Sequence, residues 1–245
     1  MRKPGRSRIG TSGWSYQHWR GVFYPEGVPA SRWLEFYAGR FDTLEINASF
    51  YRVPAEKTFL TWRDATPDGF LFAVKVDRRI THYQKLGGVA DLWRDFLSRC
   101  EQLGPKRGCL LLQFPPSFGL DIDAVASFLR LVPRGVRCAF EFRHRGWFTQ
   151  EVYDLLHEHN AALCRSSAPG FPDADVATAD FIYLRMHGGS SLYASKYSDA
   201  ELRRWAAALR KRLAEGRDVY VYFNNDAHGH AVENALTLRK LVERR

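Results

Sequence analysis

The sequence predicts a parallel α/β fold: a single-domain (β/α)8 TIM-type barrel whose chain becomes irregular after the sixth strand. Three observations predict it. The chain has 245 residues, close to the roughly 250 typical of an eightfold barrel. Eight short apolar runs recur, and helical patterns separate most of them. Strict alternation of this kind requires a parallel sheet with helices outside it. A doubly wound open sheet shares that alternation. However, no Gly-rich dinucleotide fingerprint follows the first run, and eight repeats in this length favour closure.

The strands are expected at Ile9–Ser12, Thr43–Asn47, Leu71–Val76, Cys109–Phe114, Arg137–Phe142, Ala161–Arg165, Phe181–His187 and Val219–Asn224. Each is short, and most are rich in β-branched or aromatic residues. Ser31 is placed to cap a helix over Arg32–Ala38, with Glu35 in its first turn. Asp121 precedes Ile122–Leu131, and Thr149 precedes Glu151–His159. Ser198 with Glu201 has capping-box spacing, and Gly229-His230 leads into Ala231–Val242. Ser166–Asp175 holds two prolines and a glycine and reads as loop. Residues 1–8 form a basic tail with Arg2, Lys3, Arg6 and Arg8, and 9–245 form the one barrel domain.

Apolar and charged fractions of 45% and 26% are those of a soluble globular protein. No run approaches the roughly 18 apolar residues of a membrane span. No apolar segment follows the basic N-terminus, so no secretory signal is expected. Cys100, Cys109, Cys138 and Cys164 show no CxxC spacing and read as reduced, buried thiols of a cytoplasmic protein. A net charge of +9 favours anionic partners, either a phosphorylated small molecule or nucleic acid. The competing reading is a solvated surface, because Arg203, Arg204, Arg210 and Arg212 fall on an expected outer helix. No feature fixes an oligomeric state.

Side chains alternate across a strand, and here the alternation separates polar from apolar residues. Glu45 and Asn47 oppose Leu44 and Ile46. Lys75 opposes Val74 and Val76. Glu141 and Arg143 oppose Phe140 and Phe142, Arg185 and His187 oppose Leu184 and Met186, and Asn224 opposes Phe223. With Gln113, these polar residues gather toward the C-terminal strand ends, where barrel enzymes place their chemistry. Charges on an inward face need partners or ligands. Glu45 and Glu141 can pair with Lys75, Arg143 or Arg185, so a salt-bridge network plugging the barrel competes with an active site.

Loop residues at the same end extend the set. Ser12 closes strand one, and Trp14 and Tyr16 can stack a ring or cap the core. Tyr51 follows strand two with the same two readings. His187-Gly188-Gly189-Ser190-Ser191 can form an anion nest, with Tyr193 and Tyr197 closing over it and Asn224-Asn225-Asp226 beside it. His82, His144, His187 and His228 lie after strands, as do Glu45, Glu141 and Asp226. A divalent metal would draw on these, with Glu45, Glu141 and His187 foremost, although no HExxH spacing joins them. There is no GxSxG elbow; Cys164 is notable only for its neighbour Arg165.

Taken in order, several motifs resemble the YecE-like family, a widespread domain of unknown function. They are Gly10-Thr11-Ser12-Gly13-Trp14, Leu44-Glu45-Ile46-Asn47 with Phe50-Tyr51, Phe72-Ala73-Val74-Lys75 and Thr81-His82. Further on come Gln113-Phe114-Pro115-Pro116, Glu141-Phe142-Arg143-His144 with Trp147, Arg185-Met186-His187-Gly188, Tyr193 with Tyr197-Ser198, and Tyr222-Phe223-Asn224-Asn225. The resemblance runs from about Ile9 to Leu238 and implies a TIM-type barrel. Likeness of that fold to metal-dependent endonuclease and sugar-isomerase barrels implies phosphate-ester or nucleic-acid substrates, by analogy of fold alone.

The leading functional expectation is an enzyme, a hydrolase or lyase acting on a phosphate ester. Lys75, Arg143 and Arg185 would hold the anion. Glu45 or Glu141 would transfer protons, with His187 as the other candidate. Asn47, Gln113 and Asn224 would orient substrate. Ser12, Trp14, Tyr16, Tyr51, His82, His144, Trp147, Gly188, Tyr193, Tyr197 and Asn225 would contact it. The alternatives are metal-assisted hydrolysis, with His82 as a further ligand, and a nucleic-acid-binding module without chemistry. A glycosidase using Glu45 and Glu141 ranks below them, since the surrounding cations suit an anion better than a neutral sugar.

Overall fold

The computed structural model describes residues 3–243; Met1 and Arg2 of the expected basic tail lie outside the described residues. The described residues form nine strands: β1 (Ser7–Thr11), β2 (Thr43–Ile46), β3 (Leu71–Lys75), β4 (Arg107–Gln113), β5 (Cys138–Glu141), β6 (Ala162–Leu163), β7 (Arg165–Ser167), β8 (Phe181–Met186) and β9 (Asp218–Phe223). The helices are α1 (Trp33–Ala38), α2 (Ala48–Tyr51), α3 (Glu56–Asp64), α4 (Ala90–Glu101), α5 (Ile122–Leu129), α6 (Gln150–Glu158), α7 (Asp199–Ala214) and α8 (His230–Glu243).

The strands form two parallel sheets, ordered β1-β9-β8-β7 and β2-β3-β4-β5-β6. Parallel strands alternating with helices are as expected, and the described strands pair as two sheets. The expected strand Ala161–Arg165 is in fact two strands in different sheets. The Thr178 hydroxyl accepts the Leu163 N–H at 2.8 Å and donates to the Ala161 carbonyl at 2.7 Å, so a side chain takes over where the ladder stops. The loop that follows is tied down by Arg165, which pairs with Asp173 at 2.7 Å and Asp175 at 3.0 Å.

The expected caps mostly form. Asp121 accepts from Ala124 N–H at 3.0 Å, Thr149 caps α6, and Ser198 with Glu201 makes a full capping box. Ser31 does not cap. It lies inside a single 3-10 turn, Ala30–Arg32, that feeds α1, and α1 has no side-chain cap. The sequence reading passed over α2, α3 and α4. Helix α4 carried a signal, since Trp93, Phe96, Leu97 and Cys100 are its buried residues at helical spacing. Helix α3 buries only Phe59 and leaves no such stripe. Its C-terminal carbonyls are held instead by the buried Lys106, whose Nζ donates to Arg63 O and Thr66 O at 2.6 Å each.

The chain divides into two compact units. The first holds the described residues through Glu45, Ser166–Phe171 and the described chain from Asp180. Its sheet core is β1, β8 and β9, with α7 and α8 packed beside them. The second holds Ile46–Arg165 and Pro172–Ala179. There β3, β4, β5 and β6 pair in parallel, over an aromatic cluster that includes Phe114, Phe118, Phe140, Phe142 and Trp147. All four cysteines are free and buried, and burial pushes the Cys138 thiol up to about 12. The α7 arginines make local surface contacts: Arg203 to Asp199, Arg212 to Glu215, and Arg210 to the Leu241 carbonyl.

Candidate functional site

In the first unit Ser12, Glu45, Tyr183 and Arg185 form a buried hydrogen-bonded network. Glu45 is fully buried, and Ser12, Tyr183 and Arg185 are nearly or fully so. Arg185 Nη2 donates to Glu45 Oε1 at 2.8 Å, and its Nε donates to Oε2 at 3.0 Å. Tyr183 donates its hydroxyl to Oε2 at 2.7 Å, and the Ser12 hydroxyl donates to Oε1. Burial raises the Glu45 carboxyl, but the Arg185 charge and the three donors outweigh it and hold the group below the usual carboxylate range. A carboxylate so held is a weak base and has no proton to give at neutral pH. Its chemistry here is to fix Arg185.

His187 is buried and lies edge-on to Phe171 and Tyr193. The Asn224 amide N–H donates to His187 Nδ1 at 3.2 Å, which places the neutral ring's proton on Nε2. The anion nest expected after it is already filled from within. Gly188 N–H donates to the Tyr197 hydroxyl at 3.0 Å, and Ser190 and Ser191 N–H both donate to Ser195 Oγ at 3.1 and 3.0 Å. Gly188, at φ +113°, is required here, because a Cβ would lie 2.3 Å from the Ser191 carbonyl oxygen. Tyr197 is buried, and its hydroxyl donates to Ser167 at about 3.0 Å. Of the two tyrosines expected over the nest, Tyr197 is packed inward and Tyr193 is exposed. Asn225 is also buried, donating to Ser195 O and to Asn234 Oδ1 at 3.0 Å each. Tyr16 donates to Ser12 O, and Trp14 supplies a carbonyl to Tyr24; both rings are half-buried.

Asp226, expected beside the nest, gathers two residues that the sequence did not single out, His18 and Trp19. Trp19 Nε1 donates to Asp226 Oδ1 at 2.6 Å, and His18 Nε2 lies 3.1 Å from Oδ2. Burial raises the Asp226 carboxyl to about 6, against the lowering pull of His18 and Trp19. A group raised above its unfolded value of about 3.9 contributes stability at pH below that value and loses it as pH rises through about 6. Asp226→Asn is therefore expected to flatten the pH dependence of the unfolding free energy between about 4 and 6. Carboxyl NMR titration should place the wild-type midpoint near 6; a midpoint near 4 would refute the assignment.

In the second unit the expected residues share one face of the sheet. Lys75 pairs in register with Leu111, Leu111 with Ala139, and Gln113 with Glu141. Alternation then puts Lys75, Gln113 and Glu141 on one side at the C-terminal strand ends, and Arg143, just beyond the end of β5, joins them through Glu141. The buried Glu141 carboxylate is ion-paired with Arg143. Lys75 Nζ lies 4.0 Å from the Phe50 ring centroid, and the Ser49 hydroxyl donates to Lys75 O at 2.6 Å. His82 packs edge-on against Phe50, with Nδ1 3.0 Å from the Thr81 hydroxyl. Burial, then Lys75 and Arg78, lower its imidazole to about 4, so it is neutral at neutral pH. Gln113 Nε2 donates to Phe114 O at 2.7 Å, and Asn47 is half-buried beside α2.

Trp147, His144 and Tyr51 complete the expected contacts. Trp147 is fully buried, stacked on Phe142 at 4.2 Å, with Nε1 donating to Phe118 O at 2.7 Å. It belongs to the core. His144 caps a 3-10 turn, accepting from Gly146 N–H at 3.1 Å. Tyr51 is 67% exposed. Among the described residues no three His, Cys, Asp or Glu side chains gather as metal ligands. Two HxH spacings, His157-Glu158-His159 and His228-Gly229-His230, escaped the sequence reading; the rings of His228 and His230 lie 5.7 Å apart. No described helix is long and apolar enough to cross a membrane.

Comparison with known proteins sets this arrangement in a family. Residues 8–245 match the family model described as protein of unknown function DUF72. The chain is 26% identical to the UPF0759 protein YunF of Bacillus subtilis, over 96% of this chain and 94% of that protein. It is 33% identical to the UPF0759 protein YecE of Escherichia coli K12, over 58% of this chain and 50% of that protein. A crystal structure of a DUF72 family protein from Thermotoga maritima superposes with a TM-score of 0.87 at 30% identity, covering 98% of this chain and all of that one. A second, from Enterococcus faecalis, gives a TM-score of 0.84 at 22% identity over 98% and 96% of the two chains and shows the fold alone. The chain therefore belongs to the DUF72 family, as its strand-end motifs led one to expect.

Proposed function

We propose that this chain is an enzyme acting on an anionic substrate, phosphorylated or nucleic-acid-derived, which binds at the C-terminal ends of β3, β4 and β5. One observation carries the reading: Lys75, Gln113 and Glu141 lie on a single sheet face, with Arg143 paired to Glu141 and neutral His82 against Lys75 through Phe50. Glu141 orients the Arg143 guanidinium, whose planar fork suits a phosphate. Lys75 adds a point charge. Neutral His82 donates a hydrogen bond to developing negative charge without surrendering its proton. Glu141 is the proton-transfer group of this face, and the reaction class is hydrolysis or lysis of a phosphate ester. The reading keeps a (β/α)8 barrel as the fold of the whole chain, supported by parallel pairing and strand–helix alternation. The four free, buried thiols support a reducing, cytoplasmic setting.

Calorimetry with phosphorylated metabolites and their dephosphorylated counterparts tests it. Lys75→Ala and Arg143→Ala are each expected to weaken binding of the phosphorylated compound about tenfold or more, the worth of a charged hydrogen bond. Glu141→Gln should bind but not turn over. Equal binding of phosphorylated and dephosphorylated forms, or undiminished binding by both cation variants, would reject the assignment.

A further inference from the structure

Elsewhere on the second unit, a groove of about 280 Å³ is lined by Tyr51, Arg52, Arg78, Arg79, Tyr83 and Arg99. Its two tyrosines are unusually open, 67% and 63% exposed. The Arg78 guanidinium lies between them, 5.8 Å from the Tyr51 ring centroid and 5.4 Å from that of Tyr83. Both distances fall within cation–π range. The buried Asp77 is taken by Arg79, which reaches it from its backbone N–H at 2.7 Å and from Nη2 at 2.6 Å. Arg99 pairs with Asp95 at 3.1 Å. Among the described residues, Arg52 and Arg78 have no carboxylate partner. Tyr83 ends a π-helical turn, Arg79–Tyr83, and Lys85 and Leu86 follow at φ +45° and +71°. Such backbone is kept where something depends on its shape.

Two exposed rings flanking an unpaired planar cation, with a second unpaired cation alongside, match a ligand that alternates flat rings with negative charges. A free phosphate would use only the arginines. A duplex keeps its base faces inside its own stack. A single strand offers both, with phosphates for Arg52 and Arg78 and bases to stack on Tyr51 and Tyr83. We propose that this groove is a binding site for single-stranded nucleic acid. The inference goes beyond the reaction proposed above and does not depend on it, because Lys75, Glu141 and Arg143 are not among the groove residues.

Fluorescence anisotropy of short labelled single-stranded DNA and RNA with the full chain tests it. Wild type should bind one of the two strands, with affinity that falls as salt rises, by a log–log slope of about −0.7 for each phosphate engaged. Arg78→Ala and the double variant Tyr51→Ala/Tyr83→Ala should each weaken binding about tenfold. Arg78→Lys, which keeps the charge but not the plane, should fall between. Arg203→Ala removes the same charge from the exposed face of α7 and should stay within about twofold of wild type. Circular dichroism confirms that each variant is folded. Binding of duplex DNA as tight as that of single strand would overturn the proposal, as would competition by inorganic phosphate alone. Equal losses for Arg203→Ala and Arg78→Ala, an unaffected double-tyrosine variant, or no binding at low salt would also overturn it.

Discussion

Arg185→Ala is expected to destabilise the protein by about 3–5 kcal/mol, the cost of leaving one partner of a buried ion pair uncompensated. Arg185 and Glu45 are almost wholly inaccessible, and the guanidinium makes hydrogen bonds to both carboxylate oxygens. The pH dependence gives the sign. In wild type the Glu45 carboxyl is depressed, so its contribution is present above the unfolded value of about 4.3 and is lost as pH falls through the folded value. Without Arg185 burial dominates, the carboxyl rises, and the variant folds with Glu45 protonated more readily. Denaturant titrations should therefore show the gap between wild type and variant narrowing as the pH is lowered. Replacing the pair together, as Glu45→Leu with Arg185→Met, should recover only part of the loss. Apolar replacement removes the desolvation cost, but the Ser12 and Tyr183 hydroxyls then lose their acceptor. A neutral Arg185→Ala would show that this cluster is not the tight network described.

Trp147→Ala should cost about 3–5 kcal/mol by opening a large cavity in the aromatic cluster. The indole is fully buried, stacked on Phe142 and tilted against Phe118. The same substitution separates two roles for this residue. A core residue loses stability and leaves ligand affinity intact under conditions where the variant is folded. A substrate contact loses affinity and spares stability. Trp147→Phe should retain most of the stacking and lose the Nε1 bond to Phe118 O, a smaller penalty of about 1–3 kcal/mol for the carbonyl left unmet. Thermal or denaturant unfolding, read beside binding of any phosphorylated ligand, decides between them.

Several features of the site were legible because they are local. Alternation along one strand placed Glu141 opposite Phe140 and Phe142, and Arg185 opposite Leu184 and Met186, without any knowledge of neighbours. Caps such as Asp121 and Ser198 lie within three residues of the donors they serve. The internal partners of the expected anion nest are not visible in the motif. The glycines and serines were suited to an anion, but Tyr197 and Ser195 fold back and fill the same N–H groups. The burial of Trp147 was illegible for a related reason, since a post-strand tryptophan looks alike whether it faces a ligand or a core.

Strand–helix alternation, the polar strand ends and membership of the family were readable along the chain, since periodicity and motif order are one-dimensional properties. Which cation each carboxylate holds was set by the fold. Glu45 and Arg185 are 140 residues apart, and so are bound to one another by strand placement and not by spacing. It likewise split the sixth strand, through a Thr178 hydroxyl arriving 15 residues after Leu163. It also brought Arg78 between Tyr51 and Tyr83. Pairings of this kind depend on distances in space, which no pattern along the chain encodes.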